Sequence, residues 1–267
     1  MKVNFLIIGA AKSATTSLSE ILSQHPDICF SQPKEPQFFS DPNWRETIKD
    51  YHLKFKCQAK LYGEGSTNYS KRPLFNPNIC EDIFEYNRNM KFIYIMRHPI
   101  DRIISQYIHL YNRGYEDSKD LDALIKSNPN YIDTTRYAMQ IEPYISKFGK
   151  TNVLLLFFND FISDPQKTAD DVCEFLKVEP FKIDQKLINQ NKSFDRRVLH
   201  YKYDDPKSFW SKIQKLGLIA KNYFNKDFMD NKPIISEDTK TYILSELEDD
   251  IKSIEAITGK NLDHWKL

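Results

Sequence analysis

Val3-Asn4-Phe5-Leu6-Ile7-Ile8-Gly9, running on into Ala10-Ala11-Lys12-Ser13-Ala14-Thr15-Thr16-Ser17-Leu18, is the stretch whose reading decides the fold. Its first half is a short, β-rich apolar run closed by a glycine, the pattern of a strand buried on both faces of a parallel sheet. A polar turn follows, and then Leu18, Ile21 and Leu22 recur at helical spacing. Pro26 stops the helix near His25, because proline disfavours the helical region in the residue before it. Strand, polar turn and helix thus occupy the first 25 residues.

The same alternation continues along the chain. Leu61-Tyr62-Gly63-Glu64 and Lys91-Phe92-Ile93-Tyr94-Ile95-Met96 read as strands, and Pro99 suits the first position of a helix over about Ile100 to Tyr111. Asn152 to Phe158 is a further strand, with a helix from about Pro165 to Leu176 behind it. From about Glu237 to Ile257, Tyr242, Ile243, Leu247, Ile251 and Ile254 form one apolar stripe. Strands alternating with helices predict an α/β fold of three layers, a P-loop-like central parallel sheet flanked by helices. No linker or repeat divides the chain, so we expect one domain over residues 1–267. The polar, poorly periodic segment from Lys182 to Asp205 reads as a surface loop or as a lid over a ligand.

Composition narrows the function. Lys+Arg 38 against Asp+Glu 37 leaves a net charge of +1, which gives no footprint for general nucleic-acid binding. The four cysteines, Cys29, Cys57, Cys80 and Cys173, form no CxxC pair, and the six histidines are dispersed; no zinc pattern is visible. Free thiols in a reducing compartment are the favoured reading. The apolar run from Phe5 to Ala11 is about a third of a bilayer span; Lys12 closes it and no small-residue cleavage site follows. We expect a soluble, cytoplasmic protein without a membrane span.

The turn after the first strand is an anion cradle. Ligands collect at the carboxyl ends of parallel strands, and a helix N-terminus offers N–H groups and a positive dipole end. A Walker A loop requires G-x-x-x-x-G-K-[ST]; counted from Gly9, its Gly-Lys positions fall on Ala14 and Thr15, and the one lysine, Lys12, comes earlier. This makes a poor ATP–Mg site. Ser13, Thr15 and Thr16 could also serve simply as helix caps. Arg97 stands at the end of another strand, in the same sheet position as Lys12, and Ser105 lies about two turns into the next helix. An arginine fork and a hydroxyl there suit a second phosphate. Arg102 faces differently and reads as a structural ion pair.

Taken together, Gly9 to Leu18 resembles the 5′-phosphosulfate loop of sulfotransferases that use 3′-phosphoadenosine 5′-phosphosulfate (PAPS), and Arg97-His98-Pro99 through Arg102 to Ser105-Gln106-Tyr107 is similar to their 3′-phosphate motif. Between them, Lys34-Glu35-Pro36-Gln37-Phe38-Phe39-Ser40 resembles the segment that carries the catalytic glutamate in the heparan-sulfate-type branch. Gly63 to Tyr69, Arg136-Tyr137 and Asp164-Pro165 continue the pattern, and Asn191-Lys192-Ser193 with Arg196 and Arg197 resembles the late cofactor loop. Ala14 stands where a glycine is commoner and needs only that a methyl be tolerated; Gly65 and Gln37 replace a lysine and a histidine of some animal relatives.

The resemblance implies PAPS as sulfuryl donor, 3′,5′-adenosine bisphosphate as product and no metal. The acceptor would be a carbohydrate, glycolipid or small metabolite with a hydroxyl or amine. Sulfuryl transfer moves a neutral SO₃ unit, so a bridging Mg²⁺ is less needed than in a kinase. Lys12 would neutralise charge on the bridging and 5′-phosphate oxygens. Backbone N–H groups from Ser13 through Ala14, Thr15 and Thr16 to Ser17 would hold the 5′-phosphate, and Arg97 and Ser105 the 3′-phosphate. Glu35 would be the general base, with Glu64 as an alternative base or a partner that orients Lys12. His98 reads as structural, His109 and Tyr107 as packing, and Phe38, Phe39 and Tyr69 as core by default. Two other readings compete: a small-molecule or nucleotide kinase, and a nucleotide-binding protein without catalysis.

Overall fold

A computed structural model describes residues 1–184, 186 and 232–266. Five strands form one parallel sheet in the order β2-β3-β1-β4-β5: β1 Phe5–Gly9, β2 Ile28–Phe30, β3 Leu61–Glu64, β4 Lys91–Met96 and β5 Val153–Phe157. The period of two along each strand sends alternate side chains to opposite layers. Phe5, Ile7, Ile93 and Ile95 pack beneath helices α1 (Thr15–Leu22) and α9 (Pro165–Leu176). Leu6, Ile8, Phe92, Tyr94 and Met96 face the other layer. There α2 (Ile48–His52), α3 (Ile79–Tyr86), α4 (Pro99–Asn112), α5 (Leu121–Ser127), α6 (Asn130–Asp133) and α7 (Tyr137–Phe148) contribute to the packing. The short α8 (Phe158–Ser163) leaves β5 directly, and α10 (Glu237–Thr258) packs its buried Ile243, Leu247, Ile251 and Ile254 into the same layer as α7. Gly63 is required by β1: a Cβ there would stand 2.1 Å from Phe5 Cζ.

Local chemistry sets the helix ends. Asp164 accepts from the Lys167 N–H at 2.9 Å and caps α9, while Ser236 caps α10 by accepting from the Thr239 N–H. Such caps stabilise a helix by about 1 kcal/mol each. Pro99 occupies the first turn of α4, where its missing N–H costs no hydrogen bond.

Three expectations are corrected. β2 is a strand that the sequence reading did not identify. Arg102 is structural, but among the described residues it makes no ion pair: only 1% exposed, it donates to Thr135 Oγ1 at 2.9 Å and the Tyr131 carbonyl at 3.0 Å. Cys29 and Cys57 are not free thiols but a disulfide, while Cys80 and Cys173 are free. The bridge removes free thiols as a ground for a reducing compartment. Among the described residues no helix is long and apolar enough to cross a membrane. Most of the 182–205 segment, including Arg196 and Arg197, lies outside the described residues.

Candidate active site

Three strand ends converge on the site. β1 delivers the 10–14 loop, β4 delivers Arg97, and β3 delivers Glu64, which in the parallel register stands beside Leu6 of β1. In the loop, Lys12 and Ala14 both adopt left-handed backbone, with φ of 70° and 66°. Ala14 therefore has to do more than tolerate a methyl: its Cβ carries the strain that a glycine at this position would avoid. Helix α1 starts without a side-chain cap, which corrects the capping alternative for Ser13. Its first N–H groups and dipole end are thus available to an anion. Ser13 is fully buried and its Oγ has no hydrogen-bond partner among the described residues.

Lys12 points its ammonium at His109 on α4, Nζ to Nδ1 3.3 Å. Burial, then the charges of Arg113 and Arg97, lower the Lys12 pKa to about 8. His109 is pushed down to about 4 by burial and then by Lys12, Arg113 and Lys71. A neutral imidazole at pH 7 accepts from the ammonium. His109 is thus no packing residue, and the structure corrects that expectation. Its position carried a signal: it follows Ser105 by four residues, one helical turn along the same face of α4. Lys71, from the segment after β3, donates to Asn68 Oδ1 at 2.8 Å and is also lowered to about 8 by burial.

Arg97 extends Nη1 to the Lys12 carbonyl at 3.5 Å and lays its guanidinium 4.5 Å from the centre of the Phe158 ring. The Tyr137 hydroxyl donates to the Arg97 carbonyl at 2.7 Å and fixes the backbone there. Arg97 Nε is buried without a partner among the described residues. Ser105 is half-buried in the second turn of α4.

Glu35 follows the 31–34 turn, where Ser31 Oγ donates to the carbonyls of Pro33 and Lys34 at 2.9 and 3.1 Å. Its two carboxylate oxygens are held separately, Oε1 by Lys34 Nζ at 2.9 Å and Oε2 by Gln37 Nε2 at 3.1 Å. The Glu35 side chain keeps 35% exposure. Glu64 differs in every respect. It is fully buried and accepts from Ser66 Oγ at 2.5 Å, Tyr69 at 2.7 Å and Tyr51 at 3.4 Å. Burial raises its pKa to about 7 despite these donors. It makes no ion pair with Lys12 among the described residues, so it does not orient that lysine. Its reach is indirect: Ser66 Oγ also accepts from the Gln37 N–H at 3.0 Å, and Gln37 holds Glu35. Phe38, Phe39 and Tyr69 are core residues, with Phe38 stacked on Tyr51 at 3.9 Å. His98 meets the His264 carbonyl through Nε2 at 3.2 Å, a structural contact.

The Ser13 N–H is already donated to the Ala10 carbonyl at 3.2 Å, so the anion-binding donors expected of the loop lie beyond it, at the uncapped start of α1. Lys12, Arg97, Lys71 and Arg113 place several positive charges around this loop, and burial lowers the pKa of the two lysines. Such a site favours an anion. The family model described as "Sulfotransferase domain" matches residues 2–253. The chain belongs to the sulfotransferase family. The membrane-associated sulfotransferase kil1 of Dictyostelium discoideum is 34% identical over 109 residues, 39% of this chain and 22% of that protein. The bifunctional heparan sulfate N-deacetylase/N-sulfotransferase 4 of Mus musculus is 25% identical over 243 residues, 80% of this chain and 25% of that protein. The chain therefore spans about a quarter of the length of these curated relatives. The crystal structure of a sulfotransferase from Alicyclobacillus acidocaldarius superposes with a TM-score of 0.71 at 22% identity, covering 99% of both chains. The fold is the sulfotransferase fold.

Proposed function

We propose that residues 1–267 act as one PAPS-dependent sulfotransferase domain that sulfates a hydroxyl or amine of an acceptor, a carbohydrate, glycolipid or small metabolite. The observation that carries this reading is a pair of buried donors without hydrogen-bond partners among the described residues, Ser13 Oγ, next to Lys12 in the loop, and Nε of Arg97, whose Nη1 reaches the Lys12 carbonyl. Buried polar groups are nearly always satisfied, and two separate orphans beside an uncapped helix start suit a ligand with two anionic groups. The loop from Ser13 to Ser17 would hold the 5′-phosphate, and Arg97 with Ser105 the 3′-phosphate.

In this reading Glu35 removes the proton as the acceptor oxygen or nitrogen bonds to sulfur. The bond from sulfur to the 5′-phosphate oxygen breaks, and Lys12 meets the charge that grows on that oxygen. His109 holds the Lys12 ammonium in place as a neutral acceptor. Glu35 is favoured over Glu64 because an acceptor can approach a partly exposed carboxylate, whereas Glu64 is sealed behind three hydroxyls. The glycan acceptor rests on the mouse relative, whose name is that of a heparan sulfate enzyme. The test is release of 3′,5′-adenosine bisphosphate from PAPS in excess chelator, with a panel of glycans, glycolipids and small alcohols. Acceptor-dependent release in chelator supports the reading; ATP consumption that requires Mg²⁺, with PAPS left intact, would show a kinase instead.

A further inference from the structure

The Lys34 ammonium sits between the phosphate loop and the candidate base. It donates to Thr15 Oγ1 at 3.3 Å and Thr16 Oγ1 at 3.5 Å in the first turn of α1, and it pairs with Glu35 Oε1 at 2.9 Å. Its stem passes over Gly65, where an added Cβ would stand 2.8 Å from Lys34 Cε. The Gly65 N–H donates to the Lys34 carbonyl at 3.0 Å, so the backbone beneath the side chain is anchored too. At 22% exposure the side chain can change partners without crossing packed core.

Two neutral hydroxyls are weak partners for a cation. A phosphate on the loop brings full negative charge to the same place, and charge-assisted hydrogen bonds are about twice as strong as neutral ones. We propose that Lys34 is a second donor-binding cation, which leaves Glu35 for the 5′-phosphate when the loop is filled and so opens Glu35 Oε1 to the acceptor only in the presence of donor. The proposal rests on reading the loop as a PAPS site. Before donor binds, Lys34 and Gln37 occupy both carboxylate oxygens. Once Lys34 departs, Gln37 still holds Oε2, and the base is released but remains aimed.

Calorimetric titration of 3′,5′-adenosine bisphosphate into the parent, Lys34→Met, Glu35→Gln and the double variant tests this without turnover. One lost charge-assisted bond corresponds to roughly a tenfold or greater loss of affinity, the result expected for Lys34→Met. Glu35→Gln is expected to tighten binding a few-fold, because the lysine no longer has a carboxylate to leave, and that gain should vanish in the double variant. Lys34→Gln serves as the second probe if Lys34→Met does not fold. Parent-like affinity in the folded Lys34 variant, or an equal effect of Glu35→Gln in both backgrounds, overturns the proposal. Arg97→Ala is titrated alongside. If it too binds like the parent, the PAPS reading has failed; if Arg97→Ala weakens binding and the Lys34 variant does not, only the Lys34 proposal has failed.

Discussion

Replacing Glu64 by glutamine should flatten part of the dependence of stability on pH. Burial lifts this carboxyl from its usual 4.5 to about 7, a difference worth on the order of 3 kcal/mol between its two protonation states. Between pH 4.5 and 7 the folded protein keeps the proton that the unfolded chain releases. The contribution is therefore fully present below pH 4.5 and is lost as pH rises through 7. Glutamine imitates the protonated acid at nearly the same volume and cannot ionise. The Asp250 carboxyl, raised to about 6 by burial, adds a similar slope, but it is common to parent and variant and cancels in the comparison. Urea unfolding of both proteins from pH 4.5 to 8 is the assay. The parent should lose up to about 3 kcal/mol relative to Glu64→Gln across that range. Parallel curves would mean that Glu64 ionises as freely in the folded state as in the unfolded one, and that its enclosure by Ser66, Tyr69 and Tyr51 is not what the structure indicates.

Lys12→Ala should leave bisphosphate binding largely intact and lower the chemical step by on the order of 10²–10³, as for loss of an oxyanion donor; normal turnover at saturating PAPS would remove the role given to it. In the parent, kcat/KM for PAPS should fall as pH rises past about 8, where Lys12 loses its proton in the free enzyme, and a rate series from pH 7 to 9.5 checks this. Glu35→Gln should retain the fold and bind the bisphosphate while sulfuryl transfer drops roughly 10²-fold or more; parent-rate transfer combined with a dead Glu64→Gln would move the base to Glu64. Ala14→Gly should raise the melting temperature, since relief of the left-handed strain at φ 66° outweighs the added freedom of the unfolded chain; an unchanged or lower midpoint contradicts that account.

Much of the architecture was legible because β1, β4 and β5 are apolar runs long enough to announce themselves, and because Pro99 and Pro165 mark the starts of α4 and α9. Ile28–Phe30 escaped notice because three residues carry no periodicity; pairing with β3, a tertiary event, makes them a strand. The 29–57 disulfide was equally hidden, since spacing alone does not say which cysteines meet. In the site, Lys12 and Arg97 were marked by their place at a turn and a strand end, and Glu35 only by the resemblance of the segment around it to a known motif. His109 and Lys34 were not, because each acts on a partner from another element, 97 residues away for His109 and Lys12. The strain at Ala14 was likewise invisible, because residue identity does not disclose a backbone angle.

Calorimetric titration of 3′,5′-adenosine bisphosphate against AMP tests the central claim most directly. The two ligands share the adenosine and the 5′-phosphate and differ only in the 3′-phosphate assigned to Arg97 and Ser105. The bisphosphate should bind at least tenfold more tightly, consistent with one or more charge-assisted contacts of about 1.5–3 kcal/mol each, and Arg97→Ala should bring its affinity close to that of AMP. Equal affinity of the parent for both ligands would contradict the account.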